Sequence, residues 1–317
     1  MQWMVQKQFM SKKVISRRHL DGVLLLDKAL GVSSNAALQT VKHLFRAKKA
    51  GHTGSLDPLA TGMLPICFGR ATRFCQYLLE ADKSYLVGFK LGVKTTTGDS
   101  EGDIVSRSTP PASLSMQQLE QFVAPFRGEI WQVPSMYSAL KHQGRPLYEY
   151  ARQGITIERE PRKLFISELS LLRFENDDVF CKVSCSKGTY IRSLVEDIGD
   201  AIGCGAHVTE LRRLTVANFD TRNMHPVELF QAELNQEESK LDDFVMPIGS
   251  MLSHLPSLSI DIRDAKKLKQ GGCLNLSESQ SCAHLALYSL DGLFYGVAER
   301  VEETDSFKMK TWSSKPD

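Results

Sequence analysis

The twelve residues GHTGSLDPLATG, from Gly51 to Gly62, constrain the chain more than any other stretch. Three glycines and Pro58 interrupt both helical and strand periodicity, so the backbone has to turn here and carry Asp57 on the bend. As a local pattern, Asp57 is an N-cap for a helix that begins at Pro58, where a missing N–H costs nothing. The same turn, backed by the apolar pair Leu59-Ala60, also suits the presentation of one reactive carboxylate. Both readings stand at this point.

Periodicity on either side of the turn sets the fold class. Ser33 or Ser34 caps a helix with Ala37, Leu38, Val41, Leu44 and Phe45 on one face, closed by cations before Gly51. Tyr85, Val87, Phe89, Leu91 and Val93 alternate as a strand does. Asp99 to Asp103 lacks the spacing and terminal Glu of a calcium loop and is predicted to be a hairpin turn. A helix through Leu119, Phe122, Val123 and Phe126 follows, then strands over Leu164 to Phe174 and Val179 to Cys185 joined by an Asn-Asp turn. Ile191, Leu194, Val195, Ile198 and Ile202 return to helical spacing, with Gly203 suited to the position just past the end. This irregular mixture predicts an α+β protein whose mixed, largely antiparallel sheet is flanked by helices, rather than a doubly wound parallel one. The helix-prone Val227 to Phe244 and the Pro247 to Pro256 segment read as a boundary. Beyond it, two short apolar runs around Asp291-Gly292 predict a small β-rich module.

A length of 317 residues fits two domains, and 42% apolar with 24% charged content is that of a globular protein. The longest aliphatic run, Val23 to Leu26, falls far short of the roughly 20 residues of a membrane helix. Met1 to Leu20 carries Lys7, Lys12, Lys13, Arg17 and Arg18 without an apolar core, which reads as a basic, disordered extension rather than a secretory signal. Seven cysteines without a C-x-x-C pair give neither a zinc site nor a disulfide framework, and fit a reducing cytoplasm. Cys181 and Cys185 share a strand face, where small core residues are expected. The net charge of +2 hides an asymmetry. The first fifty residues hold ten Lys and Arg against Asp21 and Asp27, or +8, which leaves −6 for the remainder. Such a basic block suits a polyanionic partner.

Several strings together give the chain a family resemblance. They are GVLLLDKALGVSS from Gly22, DKSYLVGFKLG from Asp82, PSMYSALKHQGRPLYEYARQG from Pro134 and SKGTYIRSL from Ser186, besides Gly54-Ser55-Leu56-Asp57-Pro58-Leu59-Ala60-Thr61-Gly62. The last matches G-x-L-D-x-x-A-x-G at every fixed position. Over residues 21 to 225 the sequence resembles the TruB family of tRNA pseudouridine synthases. That resemblance implies conversion of the T-loop uridine of tRNA, position 55 in the usual scheme, to pseudouridine by a cytoplasmic, monomeric enzyme that needs no cofactor and no metal.

The resemblance also assigns roles. Asp57 becomes the catalytic residue, Arg192 its partner, and Tyr85 the ring that stacks on the extruded base. A strand tyrosine in the core remains the alternative for Tyr85. His52 aligns with a histidine set against the flipped-out RNA; as a lone residue it would hydrogen-bond to backbone. Lys28 matches the Asp-Lys pair of the family, although Ala29 stands where similar sequences often have Pro, which implies a looser turn. Tyr190 is expected in the same pocket. Tyr137, Lys141, Arg145, Tyr148, Tyr150 and Arg152 mix rings and cations as looped RNA prefers, and residues 134 to 157 become a lid that closes over RNA. The implied layout is a catalytic domain over residues 21 to 250 and a PUA-like RNA-binding domain over residues 251 to 317, with Lys266, Lys267 and Lys269 near phosphate. A tRNA folding chaperone or ribonucleoprotein scaffold without catalysis is the competing reading. RNA methylation ranks below both, because no Gly-rich cofactor loop is present.

Overall fold

The computed structural model describes residues 16–236, 238–275, 282–302, 304 and 306–314. Its centre is β1 (Gly22–Lys28), the Val-Leu-Leu-Leu run being an interior strand. Leu24 and Leu26 face one core and Val23 and Leu25 a second, so strand alternation lets one apolar run serve two layers. After β1 come α1 (Ser34–Leu44), β2 (Ala50–His52), β3 (Ala60–Phe68), α2 (Cys75–Leu79) and β4 (Lys83–Leu91). Ser33 caps α1 by accepting a hydrogen bond from the Ala36 amide at 3.2 Å. Tyr85, Val87, Phe89 and Leu91 of β4 all face the first core. Gly92, at φ +84°, ends β4, and a Cβ there would lie 2.6 Å from the Ser108 carbonyl oxygen. Val93 therefore opens a separate hairpin, β5 (Val93–Thr95) and β6 (Ile104–Arg107), and the Asp99 segment is its turn, as expected.

Next in the chain are α3 (Met116–Val123), β7 (Gly128–Gln132), the small hairpin β8 (Lys141–His142) and β9 (Arg145–Pro146), and α4 (Leu147–Ala151). The long strands β10 (Arg162–Glu175) and β11 (Asp178–Cys185) turn through Asn176 and Asp177, both at positive φ, as the Asn-Asp pair predicts. Then come α5 (Ile191–Ile202), which stops at left-handed Gly203, β12 (Ala206–Val216), β13 (His225–Pro226) and α6 (Val227–Gln236). These strands build one nine-stranded sheet in the order β13-β1-β3-β12-β4-β11-β10-β7, with β2 paired to β3. Only β1 with β13 and β3 with β12 run parallel. The sheet is therefore mixed and largely antiparallel, and α5 packs Leu194, Val195 and Ile198 on its first core.

A smaller five-stranded sheet, β14 (Ser257–Ile260), β15 (Cys273–Asn275), β16 (His284–Ser289), β17 (Phe294–Val301) and β18 (Ser306–Trp312), with α7 (Ile262–Lys269), ends the chain. Gly292, at φ +88°, makes the turn between β16 and β17. The segment before β14 is packed. Ile248, Met251 and Leu252 fill the second core together with Val23, Leu25 and Met63 from the large sheet and Ala286, Phe294 and Val297 from the small one.

Two sequence expectations need correction. No helix begins at Pro58: the Asp57 carbonyl accepts the Ala60 amide at 3.0 Å and the chain enters β3, because the buried run from Met63 to Phe68 fits a central strand covered on both faces. The basic extension is also not loose up to Leu20. Residues 1–15 lie outside the described part, but Arg18 donates to the Phe45 carbonyl at 2.9 Å and grips Asp242 with both terminal nitrogens at 2.8 and 2.6 Å.

Candidate active site

The Asp57 turn hangs between β2 and β3 and is tied down from three sides. The Ser34 hydroxyl, 4% exposed in the first turn of α1, accepts the Leu56 amide at 2.7 Å and donates to the Leu56 carbonyl at 2.9 Å. The Pro58 carbonyl receives the Gly31 amide at 2.9 Å and the Lys28 ammonium at 3.4 Å. Lys28 also donates to the Ala29 and Val32 carbonyls at 2.9 and 2.6 Å, so it pins the turn that lacks the proline. From beneath, Arg213 of β12 donates to the Gly54 carbonyl at 3.1 Å and to the Met63 carbonyl at 2.7 Å. Gly62 has to be glycine: at φ +96° a Cβ would come within 2.3 Å of the Arg213 carbonyl oxygen.

Against this turn stands Arg192, from the start of α5. Its Nε lies 3.1 Å from Asp57 Oδ2. The other nitrogens are occupied, Nη1 by the Thr97 carbonyl at 2.9 Å and Asp99 Oδ2 at 3.3 Å, and Nη2 by the Tyr137 carbonyl at 2.9 Å. Asp99 is itself held by the Thr97 hydroxyl at 2.5 Å and the Glu101 amide at 3.1 Å. Gln132 of β7 clamps both backbone groups of Tyr190, accepting its amide at 2.9 Å and donating to its carbonyl at 3.2 Å, which fixes the start of α5. The Arg192 side chain is 8% exposed while that of Asp57 is 41% exposed, so the carboxylate is the open member of the pair.

Although Asp57 is accessible, the walls around it displace enough bulk water that burial is the largest influence on its pKa, and it pushes the value up. Asp99 pushes the same way; Arg192 and Lys28 oppose it. Burial lowers Lys28 to about 8, against the pull of Asp57 and Glu101. Tyr85 is 7% exposed, with its hydroxyl hydrogen-bonded to Arg213, and burial raises its pKa. His52, at the end of β2, carries a buried Nδ1 with no hydrogen-bond partner, so the expected alternative of a backbone contact through that atom is not met. Burial and then Arg213 lower its pKa, which keeps the ring neutral near pH 7.

The structure thus pairs Asp57 with Arg192 and sets Lys28 and Tyr85 close enough to interact with Asp57 by charge, with Tyr190 as the residue preceding α5; Tyr85 itself lies in the first core, the alternative expected for a strand tyrosine. The segment after β7 reaches Arg192 through the Tyr137 carbonyl. Lys141, Arg145 and Arg152 are exposed, with Arg145 over the Tyr150 ring at 4.9 Å and Arg152 over the Tyr148 ring at 5.3 Å. Ser34, Asp99, Gln132 and Arg213 were not assigned to the site from sequence. Ser34 was visible only as a possible cap and Asp99 only as a turn residue. Nothing in local spacing marks Gln132 or Arg213, which reach the site through long-range pairing. Among the described residues no His, Cys, Asp and Glu cluster could hold a metal, and no helix is long and apolar enough to cross a membrane.

Residues 42–191 match the model of the TruB family pseudouridylate synthase N-terminal domain, and residues 192–253 that of the tRNA pseudouridylate synthase B C-terminal domain. A protein of Haemophilus influenzae named tRNA pseudouridine synthase B is 50% identical over 287 residues, covering 90% of this chain and 91% of its own. One of the same name from Coxiella burnetii is 49% identical over 284 residues, covering 89% and 92%. This chain belongs to the TruB family of pseudouridine synthases. Among solved structures, a chain of a Cbf5-Nop10-Gar1 complex superposes with a TM-score of 0.72 at 25% identity, covering 93% of this chain and 86% of that one.

As a pseudouridine synthase the chain is an isomerase. Ser34→Ala removes both hydrogen bonds to Leu56, the residue before Asp57. The expected result is a single-turnover rate lower by about ten- to a hundredfold with RNA affinity unchanged, since small misplacements of a reacting group cost that much. An unchanged rate would show that the turn holds without the hydroxyl.

Proposed function

We propose that this synthase isomerises the T-loop uridine of tRNA, position 55, with Asp57 as the single carboxylate that acts on the sugar. The names of the relatives from Haemophilus influenzae and Coxiella burnetii support tRNA as substrate. The observation that carries the role of Asp57 is the asymmetry of its ion pair. Arg192 is buried and engaged through all three nitrogens, whereas Asp57 keeps an open edge toward solvent.

The reaction breaks the N-glycosidic bond, turns the uracil and joins its C5 to the ribose C1′. The sugar becomes electron-poor on the way, and an ionised carboxylate beside it stabilises that charge or bonds to it. Arg192 keeps Asp57 ionised and aimed. A uridine in a folded loop must leave its stack first. Tyr85 supplies a flat ring for the extruded base, and His52, neutral and with a free ring nitrogen, fills the vacated place. Tyr190 completes the pocket wall. Lys141, Arg145 and Arg152 meet backbone phosphates, and Tyr137, Tyr148 and Tyr150 offer faces to unstacked bases. The two guanidinium-on-ring stacks in the segment from 134 to 157 are contacts that RNA can replace in kind. The C-terminal sheet, with Lys266, Lys267 and Lys269 on α7, adds a further phosphate-binding surface of PUA type.

Incubation of the enzyme with an unmodified tRNA transcript, followed by mapping of pseudouridine, tests this reading. Product is expected at position 55, and Asp57→Asn is expected to abolish it while tRNA affinity stays within about tenfold, because one charge away from the phosphates contributes on the order of 1 kcal/mol to binding. Turnover by the Asn variant would remove Asp57 from the mechanism; product in the anticodon arm would overturn the substrate.

The acid limb of the rate profile follows from the pKa of Asp57. Its working form is ionised and burial raises the pKa, so activity is full at neutral pH and declines on acidification at a higher pH than an ordinary aspartate would dictate. A limb at or below the usual carboxylate range would contradict this. For the lid, limited proteolysis between Pro134 and Gly154 is expected to slow when tRNA is added. Cleavage at the same rate with and without tRNA would mean that the segment does not close on RNA.

A further inference from the structure

Strand β7 ends on Gln132, and the side chain there ties the edge of the large sheet to the start of α5. Burial alternates along the strand: Trp131 is 69% exposed on the outer face, whereas Gln132 is 2% exposed on the inner one. Arg162 of β10 pairs with it across the ladder. The Gln132 amide is directed at main chain, accepting the Tyr190 amide at 2.9 Å and donating to the Tyr190 carbonyl at 3.2 Å. Both ends of one side-chain amide are spent on a single residue.

Helix α5 needs this hold because its own sequence supplies none. Its N-cap residue is Tyr190, whose side chain makes no capping hydrogen bond. The turn before it is anchored at one end, where Ser186 donates its amide to the Phe165 carbonyl at 2.8 Å and accepts the Phe165 amide on its hydroxyl at 2.9 Å. Gly188 then bends the chain at φ +80°, and Gln132 holds the other end. Arg192 is the second residue of the helix. Its terminal nitrogens keep the Thr97 and Tyr137 carbonyls if the fork pivots, but Nε is the nitrogen nearest the main chain, and it is the one that meets Asp57 Oδ2 at 3.1 Å. Where α5 begins therefore sets the contact with Asp57. Tyr137 itself follows Gln132 by five residues, so the end of β7 bears on Arg192 from two directions.

We propose that Gln132 is a positioning residue of the isomerisation: by holding both peptide groups of Tyr190 it sets Arg192 Nε against Asp57 without meeting the substrate. The inference rests on the reading of Asp57 as the working carboxylate. Loss of the two hydrogen bonds lets the start of α5 shift, and a misplacement of about 1 Å slows a reaction on the order of a hundredfold. The acid limb of the rate profile moves as well. Burial and Asp99 raise the Asp57 pKa, while Arg192 and Lys28 oppose them; Tyr85 also faces Asp57 and is neutral at the working pH. A weaker Arg192 contact removes part of that opposition, so the pKa rises further and activity falls away at a higher pH.

Gln132→Met keeps the length of the side chain and removes both hydrogen bonds. With the full chain and an unmodified tRNA transcript, the expected result is a single-turnover rate lower by about ten- to a hundredfold, a tRNA affinity within about twofold, and an acid limb displaced to higher pH. Trp131→Ala, on the outer face of the same strand, is expected to leave all three unchanged. A partly unfolded preparation would lower the amplitude with the limb in place, so the limb separates positioning from general damage. Hydrogen exchange in the unmutated chain needs no variant: relative to their intrinsic rates, the Tyr190 amide is expected to exchange at least about tenfold more slowly than that of the exposed Gly188. Equal exchange at the two amides, an unchanged single-turnover rate in Gln132→Met, or a slow variant whose acid limb has not moved would each overturn the proposal. Turnover by Asp57→Asn would instead remove the reading on which it rests, whatever the Gln132 variant does.

Discussion

The guanidinium of Arg192 is the point on which the site depends. It is a planar fork with three nitrogens, and each has a different partner from a different part of the chain: the Asp57 turn, the β5–β6 turn through Thr97 and Asp99, and the segment after β7 through the Tyr137 carbonyl. A lysine could offer the charge but not three fixed directions. Because the fork is buried and fully used, its orientation is set before Asp57 meets it, and the Nε contact then aligns one carboxylate oxygen. Arg192 and Asp99 form the buried pair, and breaking it from one side would leave an uncompensated charge, which is why Asp99 matters to Asp57 without touching it.

What holds Arg192 is in turn a matter of packing. Gln132 fixes the residue before α5, and α5 is seated by Leu194, Val195 and Ile198 against the strand alternation of β4, β11 and β12. The opposite wall is built the same way. Ser34 opens α1, which packs on the first core through Ala37, Leu38 and Val41, and its hydroxyl takes both polar groups of Leu56 that a bend would otherwise leave unpaired. Rigid elements on each side place two short segments, and the segments place the charges.

The parts of this legible in the sequence are those governed by local rules. Alternation gave β4, the Asn-Asp pair gave the turn between β10 and β11, and Gly203 marked the stop of α5, because each depends on a few adjacent residues. The helix expected at Pro58 failed for the opposite reason. A cap pattern is local, whereas entry into β3 depends on pairing with β1 and β12, far away in the chain. Asp99 and Arg213 escaped notice on the same ground: one looks like any acidic turn residue, the other like any strand arginine, and only the register of the sheet brings them to the pocket. The short apolar run of β1, read as too short for a membrane, could not be recognised from spacing as a strand shared by two cores.

The charges beneath the pocket have a common logic. Lys28, Lys83 and Arg213 are all buried, and hydrogen bonds to carbonyl oxygens satisfy them: Ala29, Val32 and Pro58 for Lys28, Leu78, Leu79 and Ala81 for Lys83, Gly54 and Met63 for Arg213. Burial depresses all three, Lys28 and Lys83 to about 8, yet at neutral pH they remain cationic. Carbonyl partners hold a cation in place without cancelling its field, so positive potential persists under the Asp57 turn. Of these three, Lys28 is close enough to act on Asp57, and together with Arg192 it opposes the rise that burial imposes on the carboxylate.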